Sequence, residues 1–329
     1  MSFPLHKLPI NAVLHVLRRM EIYDQLSYSL CSKNTKKNVK GLNLKATKIR
    51  IGVFDRIEVA IRFNGTVYFE SLMDHHYHFP EDEFSVFNRI DVYIHVVGGR
   101  NVEWKIWHFG IQNWLQHLCD VLNHPIIDEL IFNDGEIDID IIKPVQKLIS
   151  RLPVVELGLC EKLTPVFARK ALDSFDYHDE LFLTRISFGN HELSRMNKIL
   201  LKNLWRVCIG DAGNLTVYQL LISNWEEIQL VDTQFTDKDF NLLLRFWIKG
   251  SNSRLKYFSA GTVRPLDRNV ILKGINCSQI PLDNEEVYRR RDYYYQETRL
   301  AGGSKIRRFD GTQAVVVIED HSFKLIVDI

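Results

Sequence analysis

The chain has 329 residues, of which 46% are hydrophobic and 25% are charged. This composition is that of an ordinary soluble globular protein of about two domains, and it excludes intrinsic disorder as the dominant state. Lysine and arginine number 42 against 41 carboxylates, a net charge of +1 that argues against a nucleic-acid wrapper or a surface membrane binder.

The cysteines and the hydropathy predict the compartment. Five widely spaced cysteines form no C-x-x-C pair, so they indicate neither a zinc ribbon nor a disulfide framework and fit the reducing cytoplasm or nucleus. Pro4, Lys7 and Pro9 interrupt any apolar core of a secretory signal. The longest apolar run, 314–318, is far below the roughly 18 residues of a spanning helix. We expect an intracellular protein that does not enter a membrane.

The charge is unevenly placed along the chain. The first fifty residues carry ten basic and two acidic side chains, 10 − 2 = +8, which leaves +1 − 8 = −7 for the rest. This asymmetry predicts an N-terminal module with an acidic partner, or alternatively a solvated helical face. Nucleic acid is disfavoured as the partner because no aromatic stacking platform is interleaved with these lysines.

The first 45 residues have the pattern of a small helical module. Leu8-Pro9 suits a first helical turn, and an apolar stripe at helical spacing runs from Val13 to Met20. A second apolar set, Leu26 and Leu30, follows. So short a module cannot bury all its apolar area alone, and part of it must meet the rest of the chain or a partner.

Residues 3–45 resemble an F-box, above all in Leu8-Pro9 and in the run from Ser29 to Lys33 at the expected spacing. The resemblance implies that this module docks on the Skp-type adaptor, and through it on the cullin, of an SCF ubiquitin ligase. Carried over by position, the residues expected to form or support the adaptor-facing surface are Leu8, Pro9, Val13, Val16, Leu17, Met20, Leu26 and Leu30.

Residues 46–109 predict a β-rich connector. Ile57 to Phe63 alternates and is followed by Asn64-Gly65 and a second run, a strong hairpin signal. A second pair, 90–97 and 102–107, is joined by the turn residues 98–101.

Residues 110–329 predict a third domain with a repeated strand signal. Pairs of apolar residues recur at steps of 21–29 residues, with helical stretches between them, within the range of leucine-rich repeats. The pairs are Leu130/Phe132, Leu157/Leu159, Ile186/Phe188, Val207/Ile209, Ile228/Leu230 and Leu255/Tyr257. The fold class is therefore α/β, an irregular leucine-rich-repeat-like solenoid with a C-terminal antiparallel cap near 302–328, and a doubly wound sheet is the competing architecture.

Two segments of this half, Trp247 to Lys256 and Arg307 to Gly311, resemble the type 2 F-box-associated domain, which implies a role in selecting the protein to be ubiquitinated. Residues that flank the buried pairs would face the substrate side of a repeat arc. They are Glu129, Glu156, Arg185, Ser187, Arg206, Glu227, Gln229, Arg254 and Lys256.

Catalytic patterns are weak, and no cofactor is expected. His75, His76 and His78 are the most tempting metal ligands, but they precede Pro80 and an acidic stretch typical of a surface loop. The basic and tyrosine-rich run 289–295 could grip single-stranded nucleic acid, although the −7 balance weighs against it. A non-catalytic ligase subunit is the leading hypothesis, and the alternatives are a ligase-independent scaffold and a metal-dependent enzyme built on the histidines.

Overall fold

The computed structural model describes residues 7–54, 57–63, 67–72, 90–96, 102–106, 111–133, 137–149, 152–185, 193–213, 215–289 and 297–327. The helices are α1 Ile10–Leu17, α2 Ile22–Leu30, α3 Lys33–Lys40, α4 Ile111–Val121, α5 Ile142–Ile149, α6 Pro165–Ser174, α7 Leu193–Leu200, α8 Val217–Leu221, α9 Asp237–Ile248 and α10 Arg268–Ile271. The strands are β1 Lys48–Val53, β2 Ile57–Arg62, β3 Val67–Leu72, β4 Ile90–Val96, β5 Val102–Ile106, β6 Ile127–Phe132, β7 Val154–Leu159, β8 Tyr177–Arg185, β9 Arg206–Asp211, β10 Glu227–Thr233, β11 Tyr257–Thr262, β12 Ser278–Arg289, β13 Glu297–Arg307, β14 Gln313–Glu319 and β15 Ser322–Val327.

The chain divides into two compact units. The first comprises Met1–Gly158 with Lys170–Tyr177, and the second comprises Leu159–Arg169 with His178–Ile329. The fold is mixed α/β, as the sequence predicts, with three helices at the N-terminus. Among the described residues, no helix has the length and apolar character needed to cross a membrane.

In the first unit, strands follow the order β2-β1-β6-β7. β1 pairs with β6 in parallel and with β2 in antiparallel register. Alternate residues of β1 and β6 are buried because side chains on a strand point to opposite faces, so Ile51 and Leu130 share one core. Phe132 of β6 packs against Phe175, with ring centroids 5.5 Å apart.

The connector is β-rich as predicted. β2 pairs with β1 in antiparallel register and also lies close to β3, which forms a three-stranded sheet with β4 and β5. The turn signal Asn64-Gly65 lies outside the described residues, so the tight hairpin predicted there is not tested. The second predicted pair is confirmed, because β4 and β5 are antiparallel.

In the second unit, strands follow the order β8-β9-β10-β11-β15-β14-β13-β12. β8 to β11 are parallel neighbours in chain order, and β12 to β15 are antiparallel. β15 pairs with β11, so the predicted C-terminal antiparallel strands extend the parallel ones.

The core of the second unit lies on the helical side of these strands. Val207 and Ile209 of β9, like Ile228 and Leu230 of β10, are almost fully buried, as predicted. Helix α9 begins with a capping box, in which the Thr236 hydroxyl accepts from the Asp239 amide and the Asp239 carboxylate accepts from the Thr236 amide.

One of the predicted strand pairs is wrong, and another is not tested. The third described strand is β8, Tyr177–Arg185, with Leu181 and Leu183 as its buried pair, and the predicted pair Ile186/Phe188 lies outside the described residues. The last parallel strand, β11, begins at Tyr257, and its buried pair is Phe258 and Ala260; Leu255 is also buried but precedes the strand, and Tyr257 is half-buried. Because the buried residues of β11 have the opposite parity from the predicted pair, the residues assigned to its opposite face change as well.

Gly261 of β11 illustrates how tightly these strands approach each other. The register between β10 and β11 shifts after Leu230, and a Cβ atom at Gly261 would collide with the carbonyl oxygen of Val231. Only glycine accommodates this approach without a backbone shift.

We expect Gly261→Ala to lower the free energy of unfolding by about 1–3 kcal/mol, because the added methyl group forces two strands apart. Urea unfolding followed by circular dichroism measures the effect. Ser259→Ala on the same strand is the control and should change stability little. Equal stability of Gly261→Ala and the wild type would contradict the steric explanation.

Candidate functional site

Part of the apolar surface of helices α1 and α2 remains outside the core of the protein. Pro9 is exposed, and Leu8, Val16, Met20 and Leu30 are half-buried. A residue that sequence reasoning did not nominate, Ile10, is 54% exposed at the start of α1. We refer to these exposed and half-buried apolar side chains together as the α1–α2 surface, which comprises Leu8, Pro9, Ile10, Val16, Met20 and Leu30.

Three of the nominated adaptor contacts are interior residues. Val13, Leu17 and Leu26 are 3%, 0% and 0% exposed. They pack inside the first unit, and a partner could reach them only if the helices separated. Of the two roles predicted for these residues, forming or supporting the adaptor-facing surface, their burial fits only support.

Gln25 fixes the angle between α1 and α2. It is buried, and its Nε2 donates to the carbonyl oxygens of Leu17 at 2.9 Å and Met20 at 2.8 Å. Carbonyl groups at a helix C-terminus lack partners within the helix, so an amide donor there satisfies them. Gln25 therefore links the C-terminal end of α1 to α2, which accounts for a polar side chain in this buried position.

The helical module is attached to α4 by a buried polar contact. Ser29 Oγ lies 2.7 Å from His117 Nε2 and donates to the Leu26 carbonyl oxygen at 2.6 Å. Burial, reinforced by the positive charge of Lys36, lowers the pKa of His117 to about 4. A neutral His117 that carries its proton on Nε2 donates to Ser29, so both protons of this short chain have acceptors.

An ion-pair cluster supports the same attachment. Asp120 of α4 pairs with Lys36, at 2.8 Å, and with Lys40 of α3. Hydrogen bonds from these two ammonium groups hold the pKa of Asp120 below its usual range. The module is thus joined to α4 through both α2 and α3.

The basic excess of the N-terminal region is partly neutralised within the first unit. Lys36 and Lys40 pair with Asp120, and Lys48 pairs with Glu129. Lys33 and Lys37 of α3 are exposed. These two lysines leave positive charge on the surface of the module, where an acidic partner would be attracted.

A charged row crosses β8, β9 and β10 on the face opposite the helices. Glu180, Arg206 and Glu227 are in register, and the Arg206 guanidinium reaches Glu227 Oε2 at 3.3 Å and Glu180 Oε2 at 3.5 Å. Arg206 also lies 4.6 Å over the ring of Trp205. The Glu227 side chain is almost fully buried, so this nominated substrate contact is engaged within the protein.

Arg254 and Lys256 converge on a single carboxylate just before β11. Arg254 Nη2 and Lys256 Nζ each lie 2.7 Å from a different oxygen of Glu226. Burial alone would raise the pKa of Glu226, but the hydrogen bonds from Lys256 and Arg254 hold it below its usual range. Both basic residues precede the strand, so they do not extend the face that carries Gln229.

The remaining nominated substrate residues do not form one cluster. Gln229 is half-buried and follows Glu227 on the same face of β10. Glu129 and Glu156 belong to the first unit, and Glu129 pairs with Lys48. Arg185 lies at the end of β8, on the opposite face from Glu180, and pairs with Glu161 at 3.6 Å. Ser187 lies outside the described residues.

Two residues on the face of Gln229 were missed by sequence reasoning. Phe182 and Val231 are 37% and 58% exposed, and both follow the parity of Glu180 and Glu227. Phe182 is assigned to this face because β8 spans Tyr177–Arg185, which the sequence did not predict. We define the open sheet face as Phe182, Arg206, Cys208, Gln229, Val231 and Ser259.

The two segments that resemble the F-box-associated domain meet in space. Arg308 is buried, its guanidinium lies 5.5 Å from the Trp247 ring, and it donates to Asp310 and to the Ser253 carbonyl oxygen. The hydrogen bond from Arg308 also holds the pKa of Asp310 well below its usual range. These motif residues join the end of α9 to the turn between β13 and β14, which is a structural role.

No metal site is found among the described residues. No group of three His, Cys, Asp or Glu side chains that could hold an ion occurs there. The histidines at 75, 76 and 78 and most of the run 289–295 lie outside that part of the chain, so neither sequence hypothesis is tested.

Comparison with known proteins agrees with this organisation. The F-box domain family matches residues 5–47, and the F-box associated family matches residues 195–260. The F-box associated domain-containing protein sdz-33 of Caenorhabditis elegans is 23% identical over 321 residues, which cover 96% of this chain and 93% of that protein. No solved structure matches significantly.

The three-helix module therefore matches the F-box domain family, and part of the sheet that follows it matches the F-box associated family. This pair of matches, with the similarity to sdz-33, supports an F-box protein with an F-box-associated domain. The first match covers the α1–α2 surface, and the second covers α7 to β11, including Trp247, Arg254 and Lys256.

The buried contact between Ser29 and His117 predicts a pH dependence. A folded-state pKa near 4 lies below the unfolded value of 6.5, so this stability is complete above pH 6.5 and is lost as the pH falls towards 4. Between pH 7.5 and pH 5 we expect the free energy of unfolding to fall by about 2 kcal/mol from this residue.

Urea unfolding of wild type and His117→Gln at the two pH values measures this loss. Glutamine keeps an N–H donor near the Nε2 position but does not titrate, so its loss over the same interval should be smaller. An identical pH dependence in both proteins would contradict the assignment.

Proposed function

We propose that this chain is the substrate-recognition subunit of an SCF-type ubiquitin ligase. The observation that carries the proposal is the F-box match over a three-helix module whose apolar residues are only partly covered by the rest of the chain. In this proposal residues 1–45 are the F-box, 46–109 are a connector, and 110–329 bind the substrate. The protein would act in the cytoplasm or nucleus.

The α1–α2 surface is the proposed contact for the Skp-type adaptor. Leu8, Pro9 and Ile10 lie at the start of α1 and would insert into an apolar groove, as amphipathic helices do. The exposed Lys33 and Lys37 would add attraction to an acidic partner and increase the association rate more than the affinity. Burying Val13, Leu17 and Leu26 internally preorganises the surface, which reduces the cost of binding.

The proposed mechanism is tethering, and the chain itself performs no bond chemistry. Proteins with these two domains are typically non-catalytic adaptors. A subunit that holds a substrate on one surface and the adaptor, and through it a cullin, on another raises the effective concentration of substrate lysines near the ubiquitin-loaded enzyme. The attachment of the module to α4 through His117 and Asp120 limits how far the adaptor end can swing within the first unit.

The open sheet face is the proposed substrate surface. The parallel order β8 to β11 with helices between the strands supports a repeat-like arrangement, as in leucine-rich repeats, whose sheet face is the usual binding surface. Phe182 and Val231 offer apolar area there, and Gln229 offers a hydrogen-bonding amide. Buried Glu227 serves to orient Arg206, because its carboxylate is already bonded to that guanidinium.

We expect the double variant Leu8→Ala/Pro9→Ala to lose at least tenfold in affinity for the Skp-type adaptor, because two contacts at the centre of an apolar interface are truncated. Isothermal titration calorimetry with the purified adaptor measures this loss. Val166→Ala, which truncates an equally apolar and exposed side chain on α6, is the control and should bind normally.

The double variant should have the same circular dichroism spectrum and thermal unfolding curve as the wild type, because neither residue is in the core. If wild type fails to bind the adaptor, or if the double variant binds as tightly, the ligase proposal is contradicted. A ligase-independent scaffold would then be the better account.

We expect Gln229→Arg to abolish the binding of substrates and to leave the binding of the adaptor unchanged. Proximity labelling in cells, with proteasome inhibition, should give a set of proteins labelled by the wild type and by Leu8→Ala/Pro9→Ala but lost in Gln229→Arg. Lys238→Glu, an exposed charge change on α9, is the control and should retain the set. Retention of every labelled protein by Gln229→Arg would exclude the open sheet face as the substrate surface.

A further inference from the structure

A second group of exposed apolar residues lies on the helical side of the second unit. Leu201, Tyr218, Ile222 and Phe246 are 62%, 67%, 48% and 38% exposed. They belong to three successive elements, the end of α7, helix α8 and helix α9. Exposed apolar residues scattered singly are ordinary, but a contiguous group of them marks an interaction surface.

Hydrogen bonds bring the C-terminal ends of these helices together. The Asn224 amide donates to the Leu200 carbonyl oxygen at 3.0 Å, next to Leu201. The Asn252 side chain donates to the carbonyl oxygens of Leu220, at 2.8 Å, and Ser223, at 3.1 Å. Asn252 follows the last turn of α9, so α7, α8 and α9 all end in one region.

The helical periodicity sets which flank each side chain occupies. On α9, Asn241 binds the carbonyl oxygens of Ile271 and Lys273, so its flank faces α10. Phe246 is five residues later, about 140° around the helix from Asn241, and lies on the flank that faces α8. Tyr218 and Ile222 are four residues apart on α8 and lie beyond the buried Val217 and Leu220 on the flank facing α9. Tyr218, Ile222 and Phe246 therefore face the space between α8 and α9, hereafter the α8–α9 groove, and Leu201 lies near it at the end of α7.

Positive charge lies on two sides of the groove. The segments 197–205, 215–224 and 240–255, which form and border it, contain five basic residues and no carboxylate: Lys198, Lys202, Arg245, Lys249 and Arg254. Of these, Arg254 pairs with Glu226, and Arg245 donates to the Lys273 carbonyl oxygen on the flank that faces α10. Lys198 and Lys249 are exposed at the ends of α7 and α9, on either side of the groove. An apolar floor between two lysines is complementary to a helix with one apolar face and acidic residues beside it.

We propose that the α8–α9 groove binds an acidic amphipathic helix of a partner protein. The groove lies on the helical side of the strands, away from the open sheet face, and it needs neither the F-box nor ubiquitin transfer. Apolar side chains of the partner would contact Tyr218, Ile222 and Phe246, and its carboxylates would approach Lys198 and Lys249. The binding is thus expected to weaken as the salt concentration rises.

The test uses the full chain as bait against a display library of random 18-residue peptides. Binders are counter-selected against Tyr218→Ser/Ile222→Ser, in which two exposed side chains change without touching the core. We expect enriched peptides to be rich in Asp and Glu and to repeat Leu, Ile or Phe at helical spacing. The best peptide should lose at least tenfold in affinity for the double variant and severalfold for Lys249→Glu, measured by fluorescence anisotropy.

Val263→Ser is the matched control, because Val263 is 71% exposed and lies outside the groove. This variant should bind the selected peptide as tightly as the wild type does. Three outcomes would overturn the proposal. One is no enrichment, or enrichment of basic or non-periodic peptides. Another is concentration-dependent self-association in sedimentation that Tyr218→Ser/Ile222→Ser abolishes, which would make a second copy the occupant. The third is binding to phosphatidylserine vesicles, lost in the same variant, in place of peptide binding.

Discussion

The position of the F-box module depends on one buried contact, in which His117 of α4 bonds to Ser29 of α2. An imidazole and a hydroxyl are costly to bury singly, and each is satisfied here by the other and by the Leu26 carbonyl oxygen. Asp120, one turn along α4, adds the ion pairs to Lys36 and Lys40. Three helices that could not form an independent core of useful size are therefore held as part of the first unit. Some of their apolar residues remain outside the core of that unit.

Much of this organisation could be predicted from the sequence where local signals were strong. The α1 stripe, the capping box at Thr236 and the antiparallel pair β4–β5 follow from periodicity and turn chemistry that act within a few residues. The register of β8 and β11 could not be predicted in the same way. Both Leu181/Leu183 and Ile186/Phe188 alternate, and the buried Ala260 gives a weak hydrophobic signal beside Leu255. Period-two patterns do not reveal where along such a run the strand begins or which parity of residues is buried.

The nominated site residues show why residue type alone is a poor guide to contact. Leu17 and Leu8 have the same chemistry, but one is fully buried and the other lies on the surface. Arg206, Arg254 and Lys256 carry charge suited to a partner, yet each is paired with a glutamate of its own chain. Such pairing is set by the register of neighbouring strands, which brings Arg206 between Glu180 and Glu227. The same register brings Phe182 and Val231 to the open sheet face.

Hydrogen–deuterium exchange of the full chain, alone and with the purified Skp-type adaptor, tests the central claim most directly. The account predicts that the adaptor slows exchange in residues 8–30, where the α1–α2 surface lies, and leaves β8 to β11 unchanged. Protection confined to the second unit, or no change in residues 8–30 at adaptor concentrations that saturate binding to known F-box proteins, would contradict it.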